Sequence, residues 1–368
     1  MIDYVNPKLI LEKENITSGR IAWRSPSNLA LVKYWGKYGR QLPRNPSISF
    51  TLNNAFTETI LEYRPKDIEN QSIELDFFFE KKPNDAFRNK MLKFLESIVD
   101  VFPFLTQLHL TVHSYNSFPH STGIASSASA MSALATCLCS LEKELFGTLQ
   151  NSNEFLQKSS FVARLGSGSA SRSVYPHLAI WGESAAAEGS SNLFAIPWGE
   201  RVHSVFKTFH DTILIADRKE KSVSSRAGHA LMEGNIFAQN RYDQANERFT
   251  KLLKALEEGD LKTFGEITEN EALTLHALMM TSEPSYILIR PNTLVMIEKI
   301  RAYRAATNQP LYFSLDAGPN IHLLFPDEIK DNVFDFIKKE MEPLCENREW
   351  IADRVGTGAS RQFSVSSF

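Results

Sequence analysis

The sequence predicts an α+β protein of two domains, and three observations carry that prediction. At 368 residues the chain is too long for one ordinary hydrophobic core and comfortable for two that share an interface. In the first half, short alternating stretches surround two segments rich in serine and glycine. In the second half, long helical periodicities flank strand-like runs such as FHDTILIAD and LYFSLDAGPNIHLLFP. The change of texture falls near residue 200, which divides the chain into an amino domain, 1–200, and a carboxyl domain, 201–368.

In chain order, a polar leader precedes strand and turn character over 20–35, and SISFTLNNAFTETILEY at 47–63 alternates like exposed antiparallel strands. Residues 86–99 place Phe87, Met91, Phe94, Leu95 and Ile98 at helical spacing, so one face of that helix is buried. QLHLTVH at 107–113 alternates Leu108, Leu110 and Val112 against His109, Thr111 and His113, the pattern of a half-buried strand. Four residues of strand separate the two histidines by about 13 Å, at about 3.3 Å per residue, too far to share a metal ion. The small-residue run ASAMSALATCLCSLEKELFG reads as a helix ending at Gly147. Beyond residue 200 the expected elements are a strand in FHDTILIAD, helical blocks at 226–257, 261–280 and 292–307, strand character at 311–326, a helix at 328–342 and a closing strand.

Hydrophobic residues make up 43% and charged residues 23%, the balance of a soluble globular chain. A formal net charge of -3 provides no global positive field for nucleic acid or an anionic membrane, so an anionic substrate needs a local basic pocket. No apolar run approaches the roughly 20 residues that span a bilayer, and the amino end lacks a signal-peptide pattern, so a cytoplasmic protein is expected. Cys137, Cys139 and Cys345 have neither zinc-ligand nor disulfide-framework spacing and are expected as buried reduced thiols.

Three segments have the composition of chemical loops. Pro119, His120, Ser121, Thr122, Gly123, Ile124, Ala125, Ser126, Ser127 and Ala128 put small side chains at an incipient helix, where free amides and the positive helix end cradle phosphate. It is not a Walker A loop, because no GxxxxGK[ST] is present. Gly166 to Ser173, GSGSASRS, combines hydroxyls and amides with Arg172, whose guanidinium can grip a carboxylate bidentately. Asp316, Ala317, Gly318, Pro319 and Asn320 form a turn at a strand end that opens on a carboxylate. Each segment also has a bland reading: a serine helix cap, a flexible linker and an ordinary Asp-initiated turn.

Together the segments narrow the choice. The first resembles the phosphate loop of the GHMP kinase superfamily. SNLALVKYWGK at 27–37, GSGSASRS, DAGPN and Val223-Ser224-Ser225-Arg226 are similar to motifs of the diphosphomevalonate decarboxylases within that superfamily, in the same order over nearly the whole chain. The resemblance implies a ribosomal-protein-like amino domain, a ferredoxin-like carboxyl domain and an active site in the cleft between them. It implies ATP-dependent decarboxylation of mevalonate 5-diphosphate to isopentenyl diphosphate, through phosphorylation of the 3-hydroxyl, with Mg2+ as cofactor.

Carried over residue by residue, the resemblance gives Asp316 as the group that orients or deprotonates the hydroxyl, Lys33 as its electrostatic partner and Arg172 as the grip on the substrate carboxylate. Tyr34, Trp35, Gly36, Lys37, Ser167, Gly168, Ser169, Ala170, Ser171 and Arg226 are the expected substrate contacts. Arg88, Ser121, Gly123, Ala125, Ser126, Ser127 and Ser225 are the expected ATP contacts, with Ser127 also a metal ligand. A homodimer is implied, with no nucleic-acid or membrane partner. His229 stands where the family frequently has methionine. Three alternatives stay open: a mevalonate 5-phosphate decarboxylase, a mevalonate 3-kinase, and a non-catalytic ligand sensor on the same fold.

Overall fold

The computed structural model describes residues 4–12, 14, 16–67, 70–118, 124, 126–219 and 223–363. Its strands form an eight-stranded sheet, a four-stranded sheet and a small hairpin. The larger sheet is built on Ser47–Pro65, which pairs antiparallel with Gly19–Val32, Leu108–Asn116 and Leu178–Trp181. Glu74–Phe79 adds parallel to Leu108–Asn116. Leu108, Leu110 and Val112 are fully buried, as their alternation requires. His109 on the opposite face pairs with Glu74 at 3.1 Å and Asp76 at 2.8 Å rather than with His113.

Three helices serve this sheet: α1 (Asp85–Glu96), α2 (Ser126–Phe146) and α3 (Ser152–Gly166). Asn84 caps α1 by accepting from the Phe87 amide at 3.0 Å, and Met91, Phe94 and Leu95 face inward. Helix α2 owes its seat to small side chains, which let it lie close to the strands and bond to them. The Ser132 hydroxyl accepts from Ser25 at 2.6 Å, and the Ser140 hydroxyl accepts from the Trp23 indole at 2.8 Å. It ends at Gly147, whose φ of +67° suits glycine. All three cysteines are buried free thiols, and burial pushes Cys139 up to about 12.

The second sheet runs Tyr312–Leu315, Ile321–Phe325, His210–Leu214, Trp350–Ile351, all antiparallel. The same half of the chain carries α4 (Ser225–Ala230), α5 (Ala238–Glu258), α6 (Leu261–Met280), α7 (Pro291–Thr307) and α8 (Lys330–Phe336). Helix α6 packs against both Tyr312–Leu315 and Gly19–Val32, so it belongs to the contact between the sheets. That contact is apolar: Leu29, Leu31, Ile48 and Phe50 meet Phe206, Phe209, Phe249, Leu252 and Phe264 in one buried cluster. Burying each such aromatic side chain stabilises by about 1.5–3 kcal/mol, so separating the halves is costly. A polar latch adds to it, because the Asp353 carboxylate accepts from the amides of Asn53, Asn54 and Ala55 at 2.7–2.9 Å. The chain then returns Ser360–Arg361 to the edge of the first sheet, opposite Trp23 and Arg24.

Five expectations need correction. The leader is not merely polar, since Leu9 and Leu11 sit in the amino core and the Gln107 side chain bonds both the N–H and C=O of Leu11 at 2.8 Å. Residues 47–63 do not form exposed strands; they lie in one 19-residue central strand, flanked on both edges and largely buried. Residues 166–173 are no loose loop: Gly168–Val174 winds a 3-10 turn in which Ala170, Ser171, Arg172 and Ser173 are buried. The block at 226–257 breaks between α4 and α5, at Gly234 with φ +80°. The helix expected at 328–342 is α8 followed by a π turn, Ile337–Met341.

Candidate active site

The strand Gly19–Val32 shifts register between Pro26 and Asn28 and between Ala30 and Val32, where Pro26 cannot donate to the ladder. These irregularities lead the chain out of the sheet at Lys33, whose side chain is 3% exposed. The Lys33 ammonium meets the Asp316 carboxylate at 3.1 Å, across the junction of the two sheets. Asp316 stands at the start of the turn joining Tyr312–Leu315 to Ile321–Phe325, with its carboxylate 20% exposed to the adjoining cavity.

That cavity holds about 310 Å³. Its wall carries four cations, Lys33, Lys37, Arg172 and Arg226, against one carboxylate, Asp316, which makes it the local basic pocket that the overall negative charge conceals. Arg172 is 1% exposed and donates to Ser49 at 3.0 Å, Ser47 at 2.6 Å and Asn28 at 3.3 Å, all neutral partners. Burial pulls it down to about 10, with Asp316 and Tyr34 opposing, so it stays cationic at neutral pH and retains donor capacity for an anion. Lys37 donates to Gln41 at 2.9 Å, and burial followed by the charge of Arg226 lowers its pKa.

Gly168 lets the turn close on its aromatic neighbours, because a Cβ there would come within 2.6 Å of Trp181 and 2.9 Å of Tyr34. The Tyr34 hydroxyl is buried and has no hydrogen-bond partner among the described residues. An orphaned buried donor lining a cavity is a place for a ligand atom. His229 of α4 accepts from the Gly36 amide through Nδ1 at 3.0 Å and lies 4.2 Å and 4.6 Å, centroid to centroid, from Tyr34 and Trp35. Burial, then the charge of Lys37, pushes its pKa down to about 3, so the ring is neutral and carries its proton on Nε2.

A second cavity of about 340 Å³ adjoins the first; Ser127, Ser224 and Ser225 line both. Its remaining walls are mostly apolar: Phe77 and Phe79 from the strand Glu74–Phe79, Phe87 and Met91 from α1, and Met131 from α2. The free amides of the first turn of α2 begin at Ser126, beside the shared mouth.

Of the expected site residues, the first cavity gathers Asp316, Lys33, Arg172, Tyr34, Trp35, Lys37, Ser167, Gly168, Ser169, Arg226, Ser127 and Ser225. Ser126 lines the second. Gly36 lies behind the wall, with φ +102° and no room for a Cβ beside Tyr242. Ala170 and Ser171 are buried inside the turn, where the Ser171 hydroxyl donates to the Gly168 carbonyl at 2.8 Å. Arg88 turns its Nε to the Leu75 carbonyl at 2.7 Å and lines neither cavity; Lys90 and Met91 of the same helix do. Ser121, Gly123 and Ala125 lie outside the described residues.

Sequence reasoning missed the apolar cleft. Phe77 and Phe79 lie in a strand it did not resolve, and Phe87 and Met91 looked like ordinary core. It also missed Asn28, Gln41 and Ser224 as lining residues, although Asn28 stood inside the first motif. Among the described residues no group of three or more His, Cys, Asp or Glu side chains forms a metal cage. The Ser127 hydroxyl, beside Ser224 and Ser225 at the shared mouth, suits Mg2+, which takes few protein ligands and completes its shell with phosphate oxygens and water.

Comparison with known proteins gives a consistent result. A family model described as diphosphomevalonate decarboxylase-like N-terminal domain matches residues 25–192, and one described as mevalonate 5-diphosphate decarboxylase C-terminal domain matches 212–364. The chain is 28% identical over 327 residues to the diphosphomevalonate decarboxylase of Saccharomyces cerevisiae, covering 86% of this chain and 80% of that one. Among solved structures, the mevalonate diphosphate decarboxylase of Staphylococcus aureus superposes with a TM-score of 0.79 at 27% identity, over 95% of this chain and 99% of that one. A structure described as MDDEF in complex with MVAPP, AMPPCP and magnesium superposes with a TM-score of 0.77 at 25% identity, over 94% and 99%.

Proposed function

The chain belongs to the diphosphomevalonate decarboxylase family, and from that premise we propose how its two cavities divide the family's reaction. The enzyme decarboxylates mevalonate 5-diphosphate with ATP, and its cofactor is Mg2+. The single observation that carries the assignment of roles is the Lys33–Asp316 pair at 3.1 Å, opening on a chamber that also holds the buried cation Arg172.

The polar chamber takes mevalonate 5-diphosphate. Asp316 accepts the proton of the 3-hydroxyl as its oxygen attacks the γ-phosphorus of ATP, so an O–P bond forms and ADP departs. The C3–O bond then breaks and its electron pair leaves with phosphate. The C1–C2 bond breaks as carbon dioxide departs, and its electron pair forms the C2–C3 double bond of isopentenyl diphosphate. Lys33, paired with Asp316 at 3.1 Å, offsets the negative charge that builds up during transfer. Arg172 orients the carboxylate so that the breaking C–C bond aligns with the vacated carbon. Lys37, Arg226, Ser167 and Ser169 hold the diphosphate, and the Tyr34 hydroxyl supplies its unpartnered donor.

The apolar cleft takes the adenosine portion, with Phe79, Phe87 and Met91 as contact surface. The triphosphate then lies across Ser126, Ser127 and Ser225 towards Asp316. The Ser127 hydroxyl would hold Mg2+, which would neutralise phosphate charge during transfer. No described helix is long and apolar enough to cross a membrane, and we place the enzyme in the cytoplasm as a homodimer, with residue 200 as the working domain boundary.

The direct test offers mevalonate, its 5-phosphate and its 5-diphosphate with Mg-ATP and follows ADP and carbon dioxide separately. Turnover of the diphosphate with equal yields of both products is expected. Turnover confined to the monophosphate would overturn the substrate assignment, and ADP without carbon dioxide would make the enzyme a kinase.

A further inference from the structure

Glu271 and His276 lie five residues apart on α6, about 7.5 Å along the axis of one rod. Glu271 is fully buried, and its Oε2 accepts the Lys33 backbone N–H at 2.8 Å. Arg241 bonds both carboxylate oxygens at 2.7 and 2.6 Å, and Arg248 bonds Oε1 at 2.9 Å. Arg241 also donates to the Lys33 carbonyl at 3.1 Å, joined there by the Asn45 amide at 3.1 Å. The polar backbone atoms on both sides of the Lys33 Cα are thus gripped by a buried ion pair from the other side of the domain junction. His276, 2% exposed, donates through Nε2 to the Asp316 carbonyl at 3.1 Å, and the Gly318 amide donates to the same oxygen at 2.7 Å.

Helix packing does not call for these groups. Glu271 sits on the buried stripe between Ile267 and Leu275, where an apolar residue would be expected. Replacing a buried ion pair by well-packed hydrophobic residues is often neutral or stabilising, so its presence here calls for a reason other than stability. The shared feature of the two contacts supplies one. Each ends on the backbone of one member of the Lys33–Asp316 pair, and neither reaches the cavity wall.

We propose that α6 is the positioning element of the reacting pair, with Glu271, braced by Arg241, fixing Lys33 and with His276 fixing Asp316 from the same rigid helix. These are positioning residues, which touch no substrate and act through the residues they hold. The proposal rests on the roles given above to Lys33 and Asp316.

The test compares His276→Leu, His276→Gln and Glu271→Gln with the wild-type enzyme for kcat, KM of mevalonate 5-diphosphate and of ATP, and the thermal midpoint. A displacement of about 1 Å costs up to about 100-fold in rate, so His276→Leu is expected to lower kcat about 10- to 100-fold with both KM values within about threefold. His276→Gln, which can present an N–H to the same carbonyl, is expected to return to within about threefold of wild type. Glu271→Gln should lower kcat at least about tenfold with KM likewise held. If Glu271→Gln fails to fold, the His276 pair decides.

Wild-type kcat in His276→Leu overturns the proposal. So does an equal loss in His276→Leu and His276→Gln that follows the thermal midpoint. Asp316→Asn separates the two levels: activity in that variant removes the role of Asp316 itself, whereas an inactive Asp316→Asn beside a fully active His276→Leu removes only the role of α6.

Discussion

The two adjoining cavities are nearly equal in volume and opposite in construction. In the polar chamber two buried working groups are held by named hydrogen bonds: Arg172 by Ser47, Ser49 and Asn28, and Lys33 through its peptide by Glu271 and Arg241. In the apolar cleft the walls are side chains in van der Waals contact, with Phe87 edge-on to Phe79 at 5.3 Å. Chemistry that moves charge needs donors fixed before the reaction starts, because reorienting them during it adds to the barrier. Holding a flat heterocycle needs area and tolerates adjustment. Changes in the chamber should therefore appear in kcat and changes in the cleft in the KM of ATP.

The sharpest way to break that contrast is Asp316→Asn. Phosphoryl transfer and carbon dioxide release should both fall about 10³-fold while calorimetry still detects mevalonate 5-diphosphate; near-normal carbon dioxide release would remove Asp316 from the chemistry. Next, Arg172→Gln removes a buried cation and leaves Ser47, Ser49 and Asn28 facing a neutral amide. Loss of charged hydrogen bonds worth about 2–3 kcal/mol predicts about a 100-fold fall in kcat/KM for mevalonate 5-diphosphate, and steady-state kinetics at saturating ATP would show whether the KM of ATP stays put. In the cleft, Phe87→Ala should raise the KM of ATP about fivefold, the scale of one aromatic contact, and leave that of mevalonate 5-diphosphate unchanged. A uniform loss for both substrates would dissolve the distinction.

The smallest effect concerns acid stability. His229 is neutral in the fold, with its pKa lowered to about 3, whereas in the unfolded chain it takes up a proton below about 6.5. Its stabilising contribution is complete above pH 6.5 and is lost as the pH falls towards 3. Thermal midpoints measured from pH 7 to pH 4 should therefore decline less steeply in His229→Met than in wild type.

Much of this was legible in the sequence where a period or a motif repeated a physical constraint. The alternation of Leu108, Leu110 and Val112 and the helical spacing of Met91, Phe94 and Leu95 fixed which faces turn inward. The DAGPN and GSGSASRS segments carried Asp316 and Arg172 into one chamber. What composition could not convey was whether serine and glycine mark an open loop or a tight turn, since small side chains serve solvent exposure and close packing equally; residues 168–174 are the packed case. The cleft was hidden because a cavity-lining phenylalanine has the same periodicity as a core one. Glu271 did leave a trace, an acid on the apolar stripe of α6, yet its partner Lys33 lies 238 residues away and no local pattern links them.

The returning strand Ser360–Arg361 and the Asp353 latch carry a consequence for how the protein can be cut and rejoined. The last described strand lies beside the first, so these two strands work as a clasp on the same sheet. A fragment ending near residue 200 would lack both the edge strand and the carboxylate that ties down Asn53, Asn54 and Ala55. It would also expose Phe50 and its apolar neighbours to solvent. Keeping residues 19–361 in one polypeptide keeps the clasp closed, whereas separate halves discard it.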